Sequence, residues 1–264
     1  MEGIMSCRRI NRRKFLLTAL LAAPIVIAGN GRFVEPTWLE TRHVRINDGQ
    51  TGVRIAQFCD VHHKGNRQYL QTVVDKINSL APDFTCFTGD LVEEKQFLPE
   101  TLEILSSLKS PLFGVPGNHE YLSGVSFALI FQCFAATGGA WLLDQQRLVA
   151  GGKINLIGSA GISPASVPEP RAHDAKDILL IHYPAWSKRL GNRKFDLILA
   201  GHSHGGQVRI PFFGAPILPS QVDEYDLGLF RSPAGALYVN GGIGYIGPFD
   251  FRFNCRPEIT LFEV

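Results

Sequence analysis

Five short strings hold side chains able to bind metal ions: Asp60-Val61-His62, Gly89-Asp90, Gly117-Asn118-His119-Glu120, the lone His182, and Gly201-His202-Ser203-His204. Each follows a short apolar run that reads as a β-strand. Their polar groups therefore fall where α/β folds place their sites, at the carboxyl ends of neighbouring strands. A single histidine after a strand is ordinarily a hydrogen-bonded packing residue. Many ionisable groups at one sheet edge are another matter, because burying each is costly unless something compensates it, and divalent cations do. The donors are oxygen and nitrogen without thiolate, a set that suits Mn, Fe, Zn or Mg, with Mn the first expectation.

The elements that must hold these strings follow from the hydrophobic period. Strands are predicted over 53–58, 84–88 and 112–115. Between the first two, Tyr69, Leu70, Val73, Val74, Ile77 and Leu80 recur at helical spacing until Ala81-Pro82 stops them. Leu98, Leu102, Leu105 and Leu108 then share one helical face, and a third helix over 125–137 stops at Gly138-Gly139. The second half is richer in strands, predicted over 154–157, 178–181, 197–200, 237–239 and 259–262. No repeat, low-complexity tract or long polar linker follows residue 36, so residues 31–264 are predicted to form one α/β domain, sheets with helices outside.

Composition agrees: of 264 residues, 45% are hydrophobic and 19% charged, which suits one large globular domain. Arg8, Arg9, Arg12, Arg13 and Lys14 against Glu2 give residues 1–30 a net +4, so the remainder carries −2 of the chain's +2. With no Lys/Arg run in that remainder, no nucleic-acid partner is expected. The basic stretch precedes fifteen uncharged residues, 15–29, fewer than the roughly 20 of a membrane-spanning helix. Asn11-Arg12-Arg13-Lys14-Phe15-Leu16 resembles a twin-arginine export signal, with Asn11 where Ser or Thr is usual, and Val26-Ile27-Ala28 fits a cleavage site. Residues 1–30 are thus a cleaved signal or a retained membrane anchor, and both readings stay open. Of five cysteines, Cys59 and Cys86 lie in apolar runs and read as packed thiols, which favours a reducing compartment. Membrane association is expected, at the cytoplasmic face or, by a route that moves folded proteins, outside.

The strings D-x-H, G-D, G-N-H-[DE], H and G-H-x-H, in that order over about residues 53–205, resemble the calcineurin-like metallophosphoesterases. The resemblance implies a four-layer α/β/β/α sandwich and two divalent cations. Asp60, His62 and His204 would bind one, Asn118, His182 and His202 the other, and Asp90 would bridge both. A carboxylate's two oxygens can span two cations, whereas an imidazole offers one lone pair, which agrees with Asp90 at the bridge. Two such ions, about 3.5 to 4 Å apart, lower the pKa of a shared water and clamp phosphate oxygens. By the same resemblance His119 protonates the leaving-group oxygen or stabilises phosphate charge, and Glu93 orients it. Glu120 reads as either a solvated acid or a direct participant. His43, His63 and His173 fall outside the ligand set.

Gly201-His202-Ser203-His204-Gly205 also satisfies the G-x-S-x-G elbow of serine hydrolases. That elbow needs a helix directly after the serine and a later histidine, and no histidine follows His204. A non-catalytic metal-binding protein is the remaining alternative, although it would have no need of His119. The strings 201–208 and 253–259 resemble a membrane-associated bacterial branch that includes twin-arginine-exported phosphodiesterases and the enzymes of lipid A synthesis that cleave UDP-2,3-diacylglucosamine. A small or lipid-linked phosphate substrate, a membrane surface and a monomeric chain are the expectations, with a general exported phosphodiesterase as the alternative. Gly241 departs from the usual Arg of that branch, which would alter the substrate if that Arg touches phosphate. Two apolar stretches, 210–219 and 243–253, either bind acyl chains or a membrane, or cap the domain's own core.

Overall fold

The computed structural model describes residues 11–46, 49–170, 174–247 and 250–264. Arg8, Arg9, His173 and Phe249 lie outside the described residues. In chain order the elements are α1 (Arg12–Phe33), β1 (Glu40–Arg45), β2 (Arg54–Phe58), α2 (Arg67–Leu80), β3 (Phe84–Phe87), α3 (Leu98–Leu105), β4 (Leu112–Gly114), α4 (Asn118–Leu122) and α5 (Phe127–Ala136). There follow β5 (Ala140–Trp141), β6 (Gln145–Val149), β7 (Ile154–Gly158), β8 (Lys176–Leu180), β9 (Phe195–Ala200), β10 (Gly228–Ser232), β11 (Gly235–Val239) and β12 (Glu258–Glu263).

The strands form two mixed six-stranded sheets, ordered β1-β12-β2-β3-β4-β5 and β10-β11-β9-β8-β7-β6. Their period of two sorts side chains into three cores. In β2, Ala56 and Phe58 face the helices, where they meet Val73, Val74 and Ile77 of α2 and Leu102 and Leu105 of α3, while Ile55 points between the sheets. In β8, Ile178 and Leu180 point between the sheets and Leu179 points outward. α2 is capped by the Asn66 side chain, which accepts from the Tyr69 amide at 3.1 Å, and ends where Ala81 turns left-handed at φ 46°.

An α/β fold with two packed sheets and flanking helices is thus present. Its outer cover on the second sheet is thin: a 3-10 turn, Pro184–Lys188, and loops bearing Val167, Leu190 and Tyr225 fill that layer. The helix predicted over 125–137 is α5, and α4, unforeseen, precedes it.

The N-terminal segment differs from its sequence reading. α1 continues past the uncharged fifteen residues and spans 22, about 33 Å at 1.5 Å per residue, long and apolar enough to cross a membrane. Leu17, Leu20, Leu21 and Ile25 on it are exposed. Its far end is fixed to the domain: the Arg252 amide donates to the Gly31 carbonyl at 2.9 Å, and the Cys255 amide to the buried Glu35 carboxylate at 2.5 Å.

Candidate metal centre

The donor strings leave the carboxyl ends of β2, β3 and β4 in one sheet and of β8 and β9 in the other, so they meet at the seam between sheets. Gln57 ties that seam, its side-chain amide donating to the Ala200 carbonyl at 3.0 Å. Two groups of donor atoms, each within 4.8 Å, draw on both sheets: Asp60, His62 and His204, and Asp90, His182 and His202. The Asn118 Oδ1 lies 3.2 Å from His182 Nε2. Asp90 links the groups, with Oδ2 3.4 Å from His62 Nε2 and 3.3 Å from His182 Nε2.

The backbone is bent to aim these side chains. Asp60, His62, Asp90, His202 and His204 all have φ between 41° and 70°, a region that costs a non-glycine residue about 1–3 kcal/mol. Five such residues in one place mark a site rather than ordinary turns. Gly89 belongs to the same crowding: a Cβ on it would sit 2.6 Å from the Gly117 amide nitrogen.

The donors fit divalent cations. All are hard or borderline oxygen and nitrogen atoms, and the buried His62 Nε2 has no hydrogen-bond partner. Outer partners fix the rings: His182 Nδ1 donates to the Thr88 carbonyl at 2.8 Å, and His202 Nε2 to the Ser220 carbonyl at 2.8 Å. The charges ask for cations too. Burial alone would depress His62 and His182, yet Asp90 and its neighbours push both up to about 9. Burial, helped by the His182 charge, takes His202 down to about 3. The burial cost on Asp90 is outweighed by His182 and His62, which hold it well below the usual carboxylate range.

His119 stands beside these groups and outside both. Its backbone amide donates to Asp90 Oδ1 at 2.8 Å, and its ring packs edge-on to His62 with centroids 4.5 Å apart. Burial lowers its pKa. Glu93 reaches further than its sequence position suggested: its carboxylate hydrogen-bonds His62 Nδ1 at 2.9 Å and lies 3.5 Å from His119 Nδ1. Glu120 is neither a solvated acid nor turned to the cleft. Wholly buried, it accepts from the amides of Asp90 at 2.9 Å, Leu91 at 2.6 Å and Gly117 at 2.6 Å, clamping two donor loops together. The available signal was its place three residues after Gly117 at the start of α4, the N3 position of a capping box.

The other candidates separate cleanly. Ser203 is buried and its Oγ accepts from the Gly205 amide at 3.1 Å, and only the kinked 3-10 turn His204–Gly206 follows it where an elbow needs an α-helix, so it is no nucleophile elbow. His63 pairs with Glu100 at 2.6 Å, and His43 is exposed on β1. A side chain at Gly241 would start towards Leu227 and the Glu258 carboxylate, whose Oε2 Arg42 approaches at 3.1 Å. Of the apolar stretches, 210–219 does not cap the core: Phe212, Phe213 and Ile217 are strongly exposed. In 243–253, Ile243 is buried while Phe251 and Phe253 are half-buried.

An α/β sandwich with Asp, Asn and His donors converging from the strand ends of both sheets defines a metal-dependent hydrolase. Residues 53–206 match the calcineurin-like phosphoesterases, and the chain belongs to that family. It is 30% identical to the uncharacterized metallophosphoesterase YkuE of Bacillus subtilis, over 97% of this chain and 98% of that one. It is 28% identical to phosphodiesterase YaeI of Escherichia coli, over 97% and 99%, and 29% identical to the UDP-2,3-diacylglucosamine pyrophosphatase LpxG of Chlamydia trachomatis, over 93% and 95%. The protein is accordingly a phosphoester hydrolase of a family that works with divalent metal ions.

Proposed function

We propose that the chain hydrolyses the pyrophosphate or phosphodiester bond of a lipid-linked substrate at a membrane surface, with UDP-2,3-diacylglucosamine the first candidate. Asp60, His62 and His204 would hold one cation, Asn118, His182 and His202 another, and Asp90 both. The observation that carries the two-cation reading is Asp90 Oδ2, near one imidazole of each donor group at 3.4 and 3.3 Å. Bound there, two divalent cations supply an acidified water and neutralise charge on the phosphoryl oxygens. Manganese is the first metal to try.

The chain's own residues do the rest. Glu93 holds His119 by Nδ1 and leaves Nε2 to donate to the leaving-group oxygen or to a phosphoryl oxygen. Glu120 keeps Asp90 and Asn118 in register by binding the amides of both loops. With the candidate substrate, the water oxygen bonds to one phosphorus as the bond from that phosphorus to the bridging oxygen breaks, and the products are UMP and an acylated sugar phosphate.

The lipid part rests on three supports: α1 is long enough to stay in a bilayer, Phe212, Phe213 and Ile217 offer an apolar tip on the loop after His204, and a relative along nearly the whole chain is named for a lipid substrate. A general phosphodiesterase is the second reading, favoured by the name of the YaeI relative. Assays of the purified full-length chain with Mn²⁺ on UDP-2,3-diacylglucosamine, an aryl phosphodiester and a phosphomonoester decide between them. Turnover of the acylated nucleotide supports the first; turnover of the aryl diester with the nucleotide untouched supports the second.

A further inference from the structure

A cavity of about 240 Å³ lies between the end of α1 and the loop that carries His62. Arg32, Phe33, His62, Lys64, Tyr69 and Tyr245 are among the residues that line it. Its rings make it largely apolar, and its lining sets the cations Arg32 and Lys64 against the single carboxylate of Asp250. Arg32 is paired with Asp250 at 3.4 Å, whereas Lys64 has no carboxylate within 4 Å among the described residues. The Lys64 ammonium instead lies 5.0 Å from the centre of the Tyr245 ring and 3.4 Å from the Tyr245 carbonyl. The Glu93 carboxylate, which does not line the cavity, feels the Lys64 charge, but no carboxylate within the cavity pairs with this ammonium, which is therefore placed to attract an anion.

Two features of position say which anion. Arg32 and Phe33, which line the cavity, are the last residues of the helix whose exposed Leu20, Leu21 and Ile25 suit a bilayer, so the cavity adjoins the segment fit to meet a membrane. His62 belongs both to this cavity and to the donor group with Asp60 and His204, so cavity and metal centre share a wall. The end of α1 is held in place by the Arg252 amide on the Gly31 carbonyl.

We propose that this cavity binds a membrane amphiphile with an anionic phosphate headgroup, Lys64 meeting the phosphate and Phe33, Tyr69 and Tyr245 the adjoining apolar chain. This deepens the lipid-linked reading and rests on it for the substrate's identity, while the binding itself can be measured without hydrolysis.

The test uses the full-length chain in phosphatidylcholine vesicles containing phosphatidic acid with a diazirine in its acyl chain, with photoadducts mapped by mass spectrometry. Adducts are expected on residues 32–37 and on Tyr69 or Tyr245, as well as on the lipid-facing residues 16–27. Lys64→Glu and, separately, Phe33→Ala should cut cavity labelling about tenfold, the scale of one charge-assisted contact, and leave labelling of 16–27 unchanged. Circular dichroism melting curves matching wild type establish that each variant is folded. A diazirine phosphatidylcholine should label 16–27 and spare the cavity. Adducts confined to 16–27, equal cavity labelling by both lipids, or full labelling in both variants would overturn the proposal. If the cavity is labelled while no acylated phosphate is hydrolysed, the cavity stands and the lipid-linked substrate falls.

Discussion

At the scale of single residues, the roles divide by what each side chain touches. His119 has its amide on Asp90 and its ring beside His62 yet belongs to neither donor group that includes Asp60 or Asp90. His119→Asn should therefore leave metal content nearly intact and slow turnover by about 10² to 10⁴, the usual worth of a general acid. Unchanged turnover on a substrate with a poor leaving group would remove the role. Glu120 supports rather than reacts. Glu120→Ala leaves three buried amides without an acceptor at about 1–3 kcal/mol each, so urea denaturation should show a loss of at least about 3 kcal/mol. A loss within 1 kcal/mol, roughly the net worth of one exposed hydrogen bond, would mean the clamp is dispensable.

Protons and cations compete at the same atoms. Against the effect of burial, the carboxylates around His62 and His182 push both imidazoles up to about 9, so a cation that takes these nitrogens as proposed displaces a proton from each. Apparent affinity should thus rise roughly tenfold per pH unit for each cation from about pH 6 to 8 and level off above about 9, with proton release visible by calorimetry in two buffers. An affinity independent of pH would contradict that linkage.

At the scale of elements, the 3-10 turn His204–Gly206 decides the serine question. Ser203 caps it and stays buried, so Ser203→Ala should cost about 0.5–2 kcal/mol of stability and retain most turnover, where loss of a nucleophile would abolish it. The sequence was legible wherever burial is on both faces: β2, β3, β4, β7, β8, β9, β11 and β12 all coincide with predicted apolar runs. The four strands it did not reveal, β1, β5, β6 and β10, are the four sheet edges. Edge strands meet solvent on one side, so Glu40–Arg45 offers Val44 as its one apolar side chain and Gln145–Val149 reads as a loop, while Ala140–Trp141 is two residues, too short to show a period. The donor strings were legible because each is local to one strand end. Glu120's reach to the Asp90 and Leu91 amides, Glu93's hold on His62 and the cavity beside α1 were not, since each depends on segments distant in sequence meeting in space.

At the scale of the whole molecule, one chain joins a membrane-length helix to a two-sheet hydrolase with its donor atoms at the seam between sheets. A helix with exposed Leu17, Leu20, Leu21 and Ile25 that stays attached should keep the protein in the membrane fraction through high salt and alkaline carbonate and release it only with detergent. A soluble product whose sequence begins near Gly29 would show instead that the segment is a cleaved export signal.

The central claim is that Asp90 ties two cations into one centre. Elemental analysis of the purified, Mn²⁺-loaded full-length chain beside its Asp90→Ala variant tests it most directly. Two cations per wild-type chain are expected, with both occupancies lowered in the variant because one carboxylate serves both positions. One cation or none in the wild type, or a variant that keeps both, would contradict it.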